Sequence, residues 1–173
     1  SGRTRGWAPS PPQAATGLDG MAFMEYAVQY EHGAQLRLDA DYRAILWLQQ
    51  NVAGSPVIME GQGEREYLWG NRVSVYTGLP SVVGWRWHQV QQRMLMPAGT
   101  VEERQRDVRT FYNTSVPEEA SKILERYSVE YVVLAPYERA YMVPEGLPKF
   151  ALMEADGKIE TVYHDDETTI YHV

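Results

Sequence analysis

The stretch Glu130-Tyr-Val-Val-Leu-Ala135 constrains this chain most. It is apolar on both faces of an extended strand, and a strand of that kind is stable only when packed cover lies above and below it. The cover has to come from neighbours with helical periodicity. Three segments supply it. Residues 41–51 (DYRAILWLQQN) set Ile45, Leu48 and Val52 in a stripe that Leu46 and Trp47 widen, with Asp39 or Asp41 as cap. Thr100-x-x-Glu103 opens a helix running to about 112, with Val101, Val108, Phe111 and Tyr112 on one side. Ser115-x-x-Glu118, with Pro117 in its first turn, opens another over 118–127, with Ala120, Ile123, Leu124 and Tyr127 inward.

The remaining segments read as strands and turns. Val57-Ile-Met-Glu60 is a short buried strand, and Arg72-Val-Ser-Val-Tyr76 is read as another. Residues 25–38 alternate as a β-hairpin, with Tyr26, Val28 and Tyr30 on one side facing Leu36 and Leu38 across a Glu31-His32-Gly33-Ala34 turn. A helix over 21–31 competes, because Met21, Met24 and Val28 also keep helical spacing. Residues 150–153 and 158–173 read as a terminal strand and hairpin around His164-Asp-Asp-Glu167. This order implies a layered α/β domain over 19–173, its mixed sheet parallel at the centre and antiparallel in the C-terminal hairpin. Residues 1–18, with Pro9, Pro11 and Pro12, read as a Pro/Gly-rich linker or tail with something attached upstream.

Composition removes several functions. The 173 residues include no cysteine, which excludes disulfides, thiolate zinc and a Cys nucleophile. Net charge is −7, and residues 118–173 carry 5 basic against 12 acidic groups. An acidic surface repels polyphosphate and argues against nucleic acid as a partner. No apolar run reaches the ~18 residues that cross a bilayer.

The motifs are sparse. Gly61-Gln-Gly63 follows a strand but lacks the third glycine of a dinucleotide fingerprint, and Glu60, Glu64 and Glu66 would face a pyrophosphate. No nucleophile elbow, P-loop or zincin motif is present, and His32, His88, His164 and His172 keep no metal spacing. No cofactor or metal is expected in this domain. Asn113-Thr-Ser115 fits a glycan sequon, although Ser115 is better read as a helix cap. Asp107 lies among Arg104, Arg106 and Arg109, an ion-pair cluster that could tie its helix to the tryptophan-rich segment.

That segment, residues 67–93, is the densest in chemistry. Trp69, Trp85 and Trp87 alternate there with Arg72, Arg86, His88, Gln89 and Arg93, and Thr77-Gly-Leu-Pro80 reads as a turn at a strand end. Indole faces beside planar hydrogen-bonding groups suit saccharides. Packing of Trp85 and Trp87 on a core or a membrane interface explains the same pattern. The candidate binding residues are Glu60, Arg72, Thr77, Gly78, Trp85, His88, Gln89 and Arg93, with no catalytic residue assigned.

Asp19-Gly-Met-Ala-Phe-Met24, Asp41-Tyr-Arg-Ala-Ile45, Pro56-Val-Ile-Met-Glu60, Arg72-Val-Ser-Val-Tyr-Thr-Gly78, Gly84-Trp85, His88 and Gln92-Arg93 are similar to the C-terminal part of the YYY-type membrane proteins. The resemblance continues through Asp107-Val108, Tyr112, Tyr131 and Glu138-Arg139. It implies a multi-pass protein, related to lipid-linked-sugar glycosyltransferases, with this domain anchored on the extracytoplasmic face. Its catalytic carboxylate and metal would then lie in membrane loops outside this chain. The partners implied are that membrane-embedded region and a lipid-linked sugar or glycan acceptor. Gln89 stands where relatives carry an acid. Two other readings stay open: a protein-interaction or structural module docking on membrane helices, and an independent hydrolase using His88 as base with Glu60 as partner.

Overall fold

A computed structural model describes residues 19–31, 33–63, 69–92, 97 and 99–173. The linker expected over 1–18 lies outside the described residues. The elements run β1 (Val28–Glu31), β2 (Ala34–Arg37), α1 (Leu38–Asn51), β3 (Val57–Met59), α2 (Arg72–Thr77), α3 (Arg86–Gln92) and α4 (Thr100–Asn113). Then follow α5 (Pro117–Arg126), β4 (Val129–Leu134), α6 (Pro136–Tyr141), α7 (Pro148–Ala155), β5 (Glu160–His164) and β6 (Thr169–His172).

The main sheet has the order β3-β4-β6-β5. β3 and β4 are parallel, and β6 pairs antiparallel with both β4 and β5. The expected layered α/β class, with its parallel pair and its C-terminal hairpin, is what the chain forms. Successive residues of β3, β4 and β6 enter opposite cores, as the pleat requires. Met59, Val132, Leu134 and Tyr171 pack with α4, α5 and α7 on one face. Ile58, Val133 and Ile170 pack with α1, α2 and the 3-10 turn Ala22–Glu25 on the other. The 130–135 segment therefore has apolar cover on both sides, and Val132 and Val133 are fully buried.

Several local expectations are corrected. Residues 72–76 form the helix α2, not a strand. The Glu60 carboxylate at the end of β3 accepts the N–H groups of Val73 (2.8 Å) and Ser74 (3.0 Å), and so caps a helix that its β-branched residues would not favour alone. Thr77-Gly-Leu-Pro80 accordingly follows a helix, and Gly78 closes it in the left-handed region at φ +77°. Residues 150–153 belong to α7, where Pro148 occupies the first turn and Lys149, Phe150 and Met153 face inward at helical spacing. A short apolar run does not distinguish the two outcomes.

The N-terminal hairpin forms with β1 and β2 in antiparallel register, but Leu36 lies opposite Gln29. Leu36 and Glu31 share the buried face, Tyr30 is exposed on the other, and Leu38 starts α1. Neither Asp39 nor Asp41 caps α1, which begins earlier, after Arg37. Gly99, not Thr100, precedes α4, and the Thr100 hydroxyl donates to the Pro97 carbonyl. Thr114, not Ser115, serves the start of α5, accepting the Val116 N–H and bonding Glu119.

Candidate functional site

The carboxyl ends of β3 and β4 open side by side because the strands are parallel, and the chain leaves each of them differently. After β3 it enters the glycine-containing loop at 61–63; after β4 it turns into α6. Glu138 on α6 joins the two exits. One of its oxygens accepts the Gly61 N–H at 2.8 Å, and the other accepts the Ala135 N–H at 3.0 Å, satisfying the first turn of its own helix. Arg72 adds a bidentate pair, donating Nη1 to Oε1 at 2.8 Å and Nη2 to Oε2 at 2.9 Å. A Cβ on Gly61 would sit 2.9 Å from the Glu138 oxygen, so only glycine lets the loop approach so closely.

The Arg72–Glu138 pair belongs to a larger buried cluster. Arg72 also reaches Asp41 on α1 at 2.7 Å, and Trp69 Nε1 donates to the second Asp41 oxygen at 2.6 Å. The guanidinium lies 4.7 Å from the centre of the Tyr137 ring. Arg72 and Glu60 are each 2% exposed. Burial pushes the Glu60 carboxyl up to about 7, against the pull of Arg72. Burial likewise raises Asp41, again opposed by Arg72. Burial disfavours the charged Arg72, but Asp41 and Glu138 outweigh it and hold the guanidinium protonated. Three carboxylates thus surround one cation.

Above this cluster lies a cleft of about 510 Å³. One wall is the loop at 61–63, and the opposite wall is α4. Gln105, Arg109 and Asn113 on α4 stand at i, i+4 and i+8, so they form one stripe along the cleft. Glu138 and Tyr141 of α6 and Arg86 of α3 complete it. The floor includes Tyr112, whose hydroxyl donates to the Val133 carbonyl at 2.7 Å and lies 3.2 Å from that of Met59, clasping β3 and β4. Asn113 is committed: its Nδ2 donates to Arg109 O and its Oδ1 accepts from Val143 N. Those bonds occupy the amide that the sequon reading would need. At the rim, Arg86 pairs with Glu102 at 2.7 Å.

None of the described sequence candidates lines this cleft. Glu60 and Arg72 lie beneath it as the cap and the hub of the buried cluster. Thr77 and Gly78 sit at the far end of α2, where the Thr77 hydroxyl donates to Val73 O at 2.6 Å. Trp85 donates from its indole to the Gly70 carbonyl at 3.1 Å, and its ring centre lies 5.9 Å from that of His88. Gln89 lies against Gly84, and Trp87 is 53% exposed on α3. Arg93 lies outside the described residues. The sequence candidates do not include the cleft residues Gln105, Arg109, Glu138 and Tyr141, although the i, i+4, i+8 spacing on α4 is legible and Arg109 and Glu138 stand out for other reasons. The arginine cluster there resolves differently from expectation: Asp107 pairs with Arg126 and accepts the Tyr127 hydroxyl, whereas Arg104 donates to Val82 O at 2.9 Å. That last bond does tie α4 to the segment leading into Trp85. Among the described residues no group of three His, Asp or Glu side chains is placed to hold a metal ion.

A scan of protein families finds no match for this chain, and a search of curated proteins finds none. Among solved structures, the chain is similar to the C-terminal globular domain of an oligosaccharyltransferase from Archaeoglobus fulgidus. The identity is 15%, the match covers 76% of this chain and 94% of that one, and the TM-score is 0.46. No helix among the described residues is long and apolar enough to cross a membrane.

Proposed function

We propose that this domain is the ligand-holding extracytoplasmic part of a multi-pass membrane protein related to lipid-linked-sugar glycosyltransferases. In this reading it steadies a saccharide or glycan acceptor while the bond-forming groups sit in the membrane region. The support from the sequence is the resemblance to the YYY-type proteins. The observation that carries the reading is the cleft at the carboxyl ends of the parallel pair, which is where α/β sheets hold ligands. Its lining is polar and planar: Gln62 from the loop, Gln105 and Arg109 from α4, and Tyr141 from α6. Such groups match hydroxyls better than they match apolar ligands. Trp85, His88 and Gln89 flank the cleft through Arg86, and Glu60 and Arg72 act by holding its floor.

The test is a saccharide titration of the chain followed by amide shifts in two-dimensional NMR. Weak binding localised to residues 61–63 and the Gln105–Asn113 stripe is expected, because one domain supplies only part of a shared site. Shifts confined to the other end of α2, or none with any saccharide, would remove the reading.

A second reading has one observation in its favour. No described residue of α3 is buried, and Trp87 stands half-exposed on it, as on a helix that docks against a membrane-embedded partner. Protection of the Trp87 indole from a soluble fluorescence quencher on adding detergent micelles, without saccharide, would favour docking.

A further inference from the structure

The charges around the cleft point to a narrower ligand class. This inference rests on the ligand-holding reading above and goes beyond it. Among the described residues, the charged groups facing the space are Arg86, Glu102, Arg109 and Glu138. Arg86 and Glu102 neutralise each other at 2.7 Å. Glu138 has nothing left to offer: each oxygen already accepts one Arg72 N–H and one backbone N–H. Its charge is matched by Arg72, and its side chain is fully enclosed. Arg109 is different. It is exposed, and among the described residues no carboxylate lies within ion-pair distance of it. Asp107, two residues away, is engaged by Arg126 and Tyr127.

Gln105 stands one turn before Arg109 and shows no hydrogen bond to another described side chain. Among its described residues the cleft thus presents one unmatched guanidinium with a neighbouring amide, in a chain whose net charge is −7. A guanidinium fork beside an amide fits a group with two or three acceptor oxygens. We infer that the cleft holds its saccharide by an anionic substituent, a carboxylate or a phosphate, accepted by Arg109 with Gln105 beside it.

The 173-residue chain is titrated with glucose, glucuronate and glucose 1-phosphate, reading the amide signals of residues 105–113. The expected result is that either charged sugar binds about tenfold more tightly than glucose. Glucuronate against glucose 1-phosphate then tells a uronate from a sugar phosphate. Arg109→Gln should erase the preference, so that glucuronate and glucose 1-phosphate bind no more tightly than glucose. Arg106→Gln removes the same charge from an exposed position off the cleft and should leave the preference intact. Equal binding of all three sugars within the cleft would overturn the anionic ligand and leave the ligand-holding reading standing. Equal loss in Arg106→Gln would also overturn it, because the effect would then be one of net charge. Failure of all three sugars to move these signals would overturn both readings.

Discussion

Arg72 and Glu138 meet as fork on fork, with 2.8 and 2.9 Å between paired atoms, from helices separated by 66 positions in the chain. The pair is closed from solvent and shares Arg72 with Asp41. Removing the cation alone would strand two buried carboxylates. Arg72→Met is therefore expected to cost about 3–5 kcal/mol of unfolding free energy by urea denaturation. Adding Glu138→Gln and Asp41→Asn to that background should restore part of the loss, since the stranded charges go while an amide oxygen remains to accept a backbone N–H. A triple variant no more stable than the single one would contradict the account.

Glu60 gives a pH signature. Its folded pKa, about 7, lies above the ordinary 4.5, so between these values the fold holds a proton that the unfolded chain has lost. The stability it contributes is complete below about pH 4.5 and is lost as pH rises through 7. The swing is on the order of 3 kcal/mol. Glu60→Gln should flatten this part of the curve, while lowering stability overall, because an amide offers one acceptor to the N–H groups of Val73 and Ser74. Parallel curves for the two proteins would show that Glu60 titrates normally.

Lys149 acts with the opposite sign. It is fully buried, donates to Tyr112 O at 3.0 Å and Gly146 O at 2.9 Å, and lies over the Phe150 ring. Burial lowers its pKa to about 8, below the ordinary 10.5. Through that window the unfolded chain binds a proton that the fold does not, so this group makes stability rise with pH. The effect is read between pH 8 and 9.5, since burial-raised Tyr112 opposes it above 10. Lys149→Met should abolish the rise and cost about 2 kcal/mol at pH 7 by leaving two carbonyls unpaired.

Gly146 marks the tightest packing. A Cβ there would lie 2.3 Å from the Tyr112 carbonyl oxygen, the one that Lys149 bonds at the end of α4. Gly146→Ala is expected to lose about 1–3 kcal/mol by displacing that helix end. Gly157→Ala meets nothing within 4 Å and carries only the strain of φ +66°, about 1 kcal/mol. A thermal melt of the two variants should rank them in that order.

The elements legible in the sequence are those whose residues carry their own signal. α4 and α5 follow the spacing of Val101, Val108 and Phe111 and of Ala120, Ile123 and Leu124, and β4 follows its two-sided apolar run. α2 was not legible, because what makes it a helix is a carboxylate 13 positions upstream. No local window contains Glu60 and Ser74 in that relation. The site fared similarly. Glu60 and Arg72 stood out by residue type, yet their partners Glu138 and Asp41 come from α6 and α1, and only the folded chain brings them together. Arg109 was visible but was grouped with Asp107, which the fold assigns to Arg126 on α5.

β6 lies between β4 and β5 in the sheet, although it follows both of them along the chain. Until Thr169–His172 has been synthesised and has left the ribosome, β5 has no neighbour and β4 has one bare edge. Closure of this domain during translation therefore waits on its last strand, and the two cores stay exposed to chaperones until that strand slides into place.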